Sequence, residues 1–220
     1  MLENNVFKRT TADAELISPS TYNLTIGLVL AWGFGVNWVM VRTLDPMAAL
    51  QLGFWPFLIG YFVSCFVGIM IFTRSDNPLI SFLGYNLVVV PFGFIVNLMV
   101  SRYDPALVQD AIIVTGGVTL VMMVLGSMFP AFFQRIRGAL TAALVAVIVV
   151  ELLSIFWLGL DQNLIDWAVV LIFCGYIGYD WGRANAIPKT LDNAVDSAAS
   201  IYMDIIILFL RILHIMGRRR

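Results

Sequence analysis

Three acidic residues lie in runs where acids are costly. Glu151 stands in Val149-Val150-Glu151-Leu152-Leu153, Asp180 in Gly178-Tyr179-Asp180-Trp181, and Asp204 in Ile201-Tyr202-Met203-Asp204-Ile205-Ile206. A carboxylate in the middle of a membrane helix costs roughly 2.5–3.5 kcal/mol on insertion scales, so it usually serves a function. The chemistry open to these groups is proton exchange, cation contact, or a hydrogen bond that joins helices. Asp110, a fourth acid, stands near one end of an apolar run, within reach of the membrane interface. Asp196, Ser200 and Asp204 recur at i, i+4 and i+8, which aligns them on one helix face, and Arg211 falls close to that face. Such a stripe belongs against a bundle interior or a hydrated cavity. For Asp204, and for Glu151 with Ser154 as its same-face neighbour, a purely helix-joining role stands beside the functional one. His214, the one histidine, reads as an interfacial residue rather than a ligand.

The elements that position these groups follow from composition. Of 220 residues, 60% are hydrophobic and 12% are charged, and the mean hydropathy is +0.91. A soluble domain carries about 25% charged residues, so a soluble globular enzyme is excluded. Lys+Arg 13 against Asp+Glu 14 leaves a net charge of −1 and no basic footprint for nucleic acid. Cys65 and Cys174 lie in apolar runs and read as buried thiols, with neither disulfide nor metal spacing.

A membrane crossing needs about 20 apolar residues. That ruler predicts an all-α integral membrane protein with seven transmembrane helices, over 22–41, 50–73, 79–100, 107–130, 138–160, 164–181 and 197–216. The polar stripe makes the seventh helix central in the bundle. The corresponding division is a polar, cytoplasmic N-terminal segment 1–21, a seven-helix domain 22–217 and a basic tail 218–220. Residues 1–21 lack the basic and apolar regions of a cleavable signal peptide. The stretch 187–196 is the longest polar connection and reads as a flexible loop. Pro56 and Pro91 are expected to interrupt the second and third helices, and Gly116-Gly117 to loosen the fourth.

Loop charges orient the chain. With the N-terminus inside, Lys8, Arg9, Arg74, Arg135, Arg137, Arg183 and Lys189 are cytoplasmic, and only Arg42 and Arg102 lie in outside loops. The tail Arg218-Arg219-Arg220 dissents: either it is translocated late, or one apolar segment does not cross fully. No P-loop, Ser-His-Asp set or HExxH motif is present, so no enzyme and no tightly bound cofactor is expected. With one histidine, any metal site would rest on carboxylate oxygens, which suit hard cations such as calcium.

The last two predicted helices resemble the transmembrane Bax inhibitor motif family. Gly178-Tyr179-Asp180, then Ala198-Ala199-Ser200-Ile201-Tyr202-Met203-Asp204-Ile205-Ile206-Ile207-Leu208-Phe209, is similar to its paired signature, with a Tyr before the first Asp and a second Tyr two residues before the other. The family pattern has Asn where Ile207 stands and often an acid in the second helix, where none lies here. The resemblance implies a compact bundle around the seventh helix and a pH-sensitive calcium leak channel. It casts Asp180 and Asp204 as a proton-sharing sensor and calcium contact, and Arg74 as the latch on the second helix. Glu151 lies outside the pattern and, with Asp196 and Ser200, is a candidate for the ion pathway. The partners so implied are the lipid bilayer, calcium and protons, in a bacterial inner membrane. The alternative is a non-conducting regulatory membrane protein that binds a membrane protease. A proton-coupled carrier would show inverted repeats, and none is evident.

Overall fold

The computed structural model describes residues 15–154 and 162–218. Among them seven helices are long and apolar enough to cross a membrane: α1 (Pro19–Thr43), α2 (Phe54–Arg74), α3 (Pro78–Val100), α4 (Pro105–Met128), α5 (Pro130–Leu153), α6 (Gln162–Ala186) and α7 (Leu191–Arg218). A short 3-10 turn, Ala48–Leu52, precedes α2. Three helices begin with the same device. Ser18, Asn77 and Asp104 each accept a hydrogen bond from a backbone amide in the first turn, and each is followed by proline. The side chain satisfies a free amide, and proline occupies the position where an N–H is not needed.

Several boundaries differ from expectation. Pro56 lies in the first turn of α2, so it starts that helix rather than interrupting it. Helix α3 continues through Pro91. Phe129, at φ −128° and ψ 51°, breaks the chain between α4 and α5, and α5 starts at Pro130 instead of 138. Arg135 and Arg137 therefore sit in the first two turns of α5. Residues 155–161, the end of the expected fifth helix, lie outside the described residues, as do 1–14 of the N-terminal segment and 219–220 of the basic tail. The expected loop 187–196 shrinks to four residues, because α7 already starts at Leu191. Its acids are held there: Asp192 accepts a 2.6 Å hydrogen bond from Ser81.

The chain divides into two compact units, and α7 contributes its first half to one and its second half to the other. The first unit comprises α1, α2, α3 and α7 up to Tyr202. At its core the Tyr202 hydroxyl donates to Asn37 Oδ1 at 2.6 Å, and Asn37 Nδ2 donates to the Val89 carbonyl at 3.1 Å. The Tyr85 ring meets Tyr202 edge-on at 5.3 Å. The Tyr22 hydroxyl shares a 3.1 Å hydrogen bond with Ser197. The second unit comprises α4, α5, α6 and the rest of α7. More than half of the most apolar stretch of α6 and of α7 is buried, against none of α5. Both cysteines are free thiols, Cys65 buried and Cys174 partly so.

Helices α2 and α3 touch backbone to backbone. A Cβ on Gly84 would stand 2.8 Å from the Gly68 carbonyl oxygen and 2.9 Å from the Phe72 nitrogen. Neither neighbour is a flexible side chain that could turn aside. Gly84→Ala is therefore expected to destabilise the protein by about 1–3 kcal/mol through overpacking. Thermal unfolding in detergent reads this, with Gly60→Ala, whose Cβ meets nothing within 4 Å, as the neutral comparison.

Candidate functional site

The site is built where α6 runs past α4 and α5. Gly126 and Gly178 allow this approach: a Cβ on Gly126 would strike the Gly178 carbonyl, and a Cβ on Gly178 would strike the Phe133 ring. The close contact fixes the turn that carries Tyr179 and Asp180. Trp181 Nε1 donates to Ser127 Oγ at 2.8 Å and pins the next residue. Asp180 is thus not at a helix end, as the predicted boundary at 181 implied. Another turn follows it, and that turn carries Arg183.

The second half of α7 brings Asp204 to this point. Its carboxyl group and that of Asp180 lie within side-chain hydrogen-bonding reach of each other. Both residues are buried, at 9% and 7% exposure. Asp204 Oδ2 is buried with no conventional hydrogen-bond donor among the described residues. Arg183 Nη1 stands 3.3 Å from Asp180 Oδ1, one turn along the same helix. Arg137 of α5 is also within electrostatic reach of Asp180. Its guanidinium lies 5.5 Å from the Tyr179 ring centre, and that of Arg183 lies 5.9 Å away. Arg183 is thus in close contact with Asp180 and within electrostatic reach of Asp204. The i, i+3 spacing of Asp180 and Arg183 was the readable signal for this pair, obscured by ending the helix too early.

The other predicted residues are placed as follows. Asp196 and Ser200 are buried on α7 two turns and one turn before Asp204, in the first unit. Arg74 is the last residue of α2, also in that unit. Glu151 and Arg211 belong to a different cluster. Arg211 Nη1 binds Glu151 Oε1 at 2.6 Å and Asp166 Oδ1 at 2.8 Å. Asp166, one turn into α6, is 0% exposed and is a site residue that the sequence reading did not single out. His214, expected at an interface, places Nδ1 3.0 Å from Asp166 Oδ2. The readable signal was the spacing of Arg211, His214 and Arg218, which puts three basic groups on one face of α7.

Comparison with known proteins gives a consistent answer. An uncharacterised membrane protein of Streptococcus pyogenes is 29% identical over 133 residues, covering 57% of this chain and 58% of that protein. The chain thus spans less than two thirds of the length of the streptococcal relatives it matches. Bax inhibitor 1 of Schizosaccharomyces pombe is 24% identical over 173 residues, or 76% of this chain and 64% of the yeast protein. The inner membrane protein YbhL of Escherichia coli is 27% identical over 131 residues, 54% of this chain and 55% of the relative. The family described as "Inhibitor of apoptosis-promoting Bax1" matches residues 16–220. Seven membrane-length helices and a match across nearly the whole sequence make this chain a member of the Bax inhibitor-1 family of membrane proteins.

Proposed function

We propose that the protein is a pH-gated calcium leak channel whose sensor is the Asp180–Asp204 pair. The observation that carries this is the buried contact between two carboxyl groups. An ionised carboxylate only accepts hydrogen bonds, so two carboxyls bond to each other only with a proton between them. Two such groups in a low-dielectric interior titrate as one coupled unit. With Arg183 as counter-ion, the pair holding one proton is electrically balanced. A second proton removes the attraction of Asp180 for Arg183, and loss of the last proton leaves two like charges in contact. Either change favours a different packing of α6 and α7, and protons thereby bias a two-state element. Calcium is the expected cargo, because the acids offer oxygen ligands alone. No catalytic step is part of this reading.

The same proposal places the protein in the bacterial inner membrane with its N-terminus in the cytoplasm, following the basic residues between crossings. The latch role that the resemblance gives Arg74 is tested by Arg74→Gln in the assay that follows.

Calcium entry into dye-loaded proteoliposomes between pH 6 and pH 8 tests the channel. Wild type is expected to leak with a clear pH dependence, and Asp204→Asn to shift or abolish that dependence. An unchanged titration in Asp204→Asn would make this residue a helix-joining group. No flux above empty vesicles at any pH would leave the non-conducting regulatory role.

A further inference from the structure

Among the seven described helices, α5 alone has none of its most apolar stretch buried. Its exposed face carries a groove of about 780 Å³, a size typical of ligand sites. Two rows of side chains line it. Arg137, Thr141 and Val145 form one at i, i+4 and i+8, and Gly138, Ala142 and Ala146 form the next. All six are exposed. The groove changes character along its length, about 14 Å from Arg137 to Ala146 at the helical rise. Its first turn is polar, with the Tyr176 hydroxyl of α6 donating to Thr141 Oγ1 at 3.1 Å. Beyond Thr141 only Ala142, Val145 and Ala146 line it, and they are apolar.

A second cation stands at the polar end. Arg135 precedes Ala142 and Ala146 by seven and eleven residues, which puts it at the head of their row, as Arg137 heads the other. Helical side chains lean towards the N-terminus, so both arginines reach towards the nearer membrane surface. Both are exposed, and neither pairs with a carboxylate among the described residues. Arg137 lies near the Tyr179 ring and in the field of Asp180, whose close cation is Arg183. Its hydrogen-bond donors are therefore left for an outside acceptor, and phosphate is the acceptor that a guanidinium fork fits best. The occupant that suits this face is anionic at one end and apolar along the rest. Free phosphate would fill only the head, and an apolar molecule only the channel. A zwitterionic headgroup would bring its own cation up to two guanidiniums, whereas an anionic one does not.

We propose that the α5 groove binds an anionic phospholipid, its phosphate at Arg135 and Arg137 and one acyl chain along Gly138, Ala142 and Ala146. The site uses no atom of the Asp180–Asp204 pair and stands whether or not the protein conducts calcium.

Native mass spectrometry of the full-length protein, freed of lipid in detergent and titrated with one phospholipid at a time, tests this. Wild type is expected to bind phosphatidylglycerol about thirtyfold more tightly than phosphatidylcholine, the worth of two basic residues at an anionic headgroup. Arg135→Gln combined with Arg137→Gln should remove that preference. Arg42→Gln, which changes an exposed cation on α1, should keep it. A Cβ on Gly138 meets nothing within 4 Å, so Gly138→Leu fills the groove without disturbing the protein's own packing. It is expected to lose the tight lipid with both arginines in place. Equal affinity of wild type for the two lipids overturns the proposal, as does a preference that survives the double arginine variant. Tight binding that survives Gly138→Leu would reduce the site to surface charge. Displacement of the lipid by inorganic phosphate at equal concentration would make it an anion site. Loss of a dimer, rather than of lipid, in Gly138→Leu would make the face a contact between two copies. Each of these three results also overturns the proposal. If the double arginine variant does not fold, the wild-type comparison and Gly138→Leu still decide the matter.

Discussion

Asp166→Ala is expected to be among the most damaging single substitutions in the second unit, at about 3–5 kcal/mol of stability. The reason is the asymmetry of a buried ion pair. Forming one gains little over an apolar pair, but removing one partner leaves the other charge without compensation. Asp166 is fully enclosed and faces Arg211 at 2.8 Å and His214 at 3.0 Å. Its loss leaves Arg211 with Glu151 alone and takes the carboxylate away from His214. Glu151→Gln is the internal comparison. Glu151 is 24% exposed, so water takes over part of its role, and the glutamine still offers Arg211 an oxygen. Its expected cost is about 1 kcal/mol, nearer to that of an exposed pair. Thermal and denaturant unfolding of the two variants in the same detergent read the difference. Equal losses would mean that enclosure of Asp166 does not set the cost.

The helices themselves were legible, because a bilayer demands long apolar runs and the breaks between them carry proline-led caps. Their ends were less so, for a consistent physical reason. Charge was read as a sign of loop, which moved the start of α5 past Arg135 and Arg137 and the start of α7 past Asp192 and Asp196. In the structure these groups lie inside helices. Arg137 lays its guanidinium near Tyr179, as long cationic side chains do near helix ends. Asp192 is bound by Ser81. A polar residue ends a helix only when it has no partner there, and a partner on another helix is invisible to local pattern. The candidate site divides in the same way. Asp180 and Asp204 were evident as acids in apolar surroundings and from the family resemblance. Arg183 was lost to a boundary placed at 181. Asp166 was lost because a single acid near a helix start looks like an interfacial residue until Arg211 and His214 are seen around it.

Asp180→Asn is expected to flatten the pH dependence of calcium flux, and Arg183→Gln to move it, if the buried contact is the sensor. An amide cannot ionise, so Asp180→Asn leaves Asp204 as a single carboxyl hydrogen-bonded to a neutral neighbour. The state with two facing charges no longer exists at any pH. The ratio of flux at pH 6 to flux at pH 8 should therefore fall towards one. Arg183→Gln keeps both carboxyls and removes the cation 3.3 Å from Asp180. The charged states of the pair then lose their nearest counter-ion. The flux transition should persist but be displaced along the pH axis. The two variants thus separate losing the titration from displacing it. A helix-joining role predicts neither: both substitutions would lower stability and leave the pH profile of the remaining flux where it was. Measuring unfolding and flux on the same preparations distinguishes the cases, because a sensor moves the profile and a structural bond moves only the melting temperature.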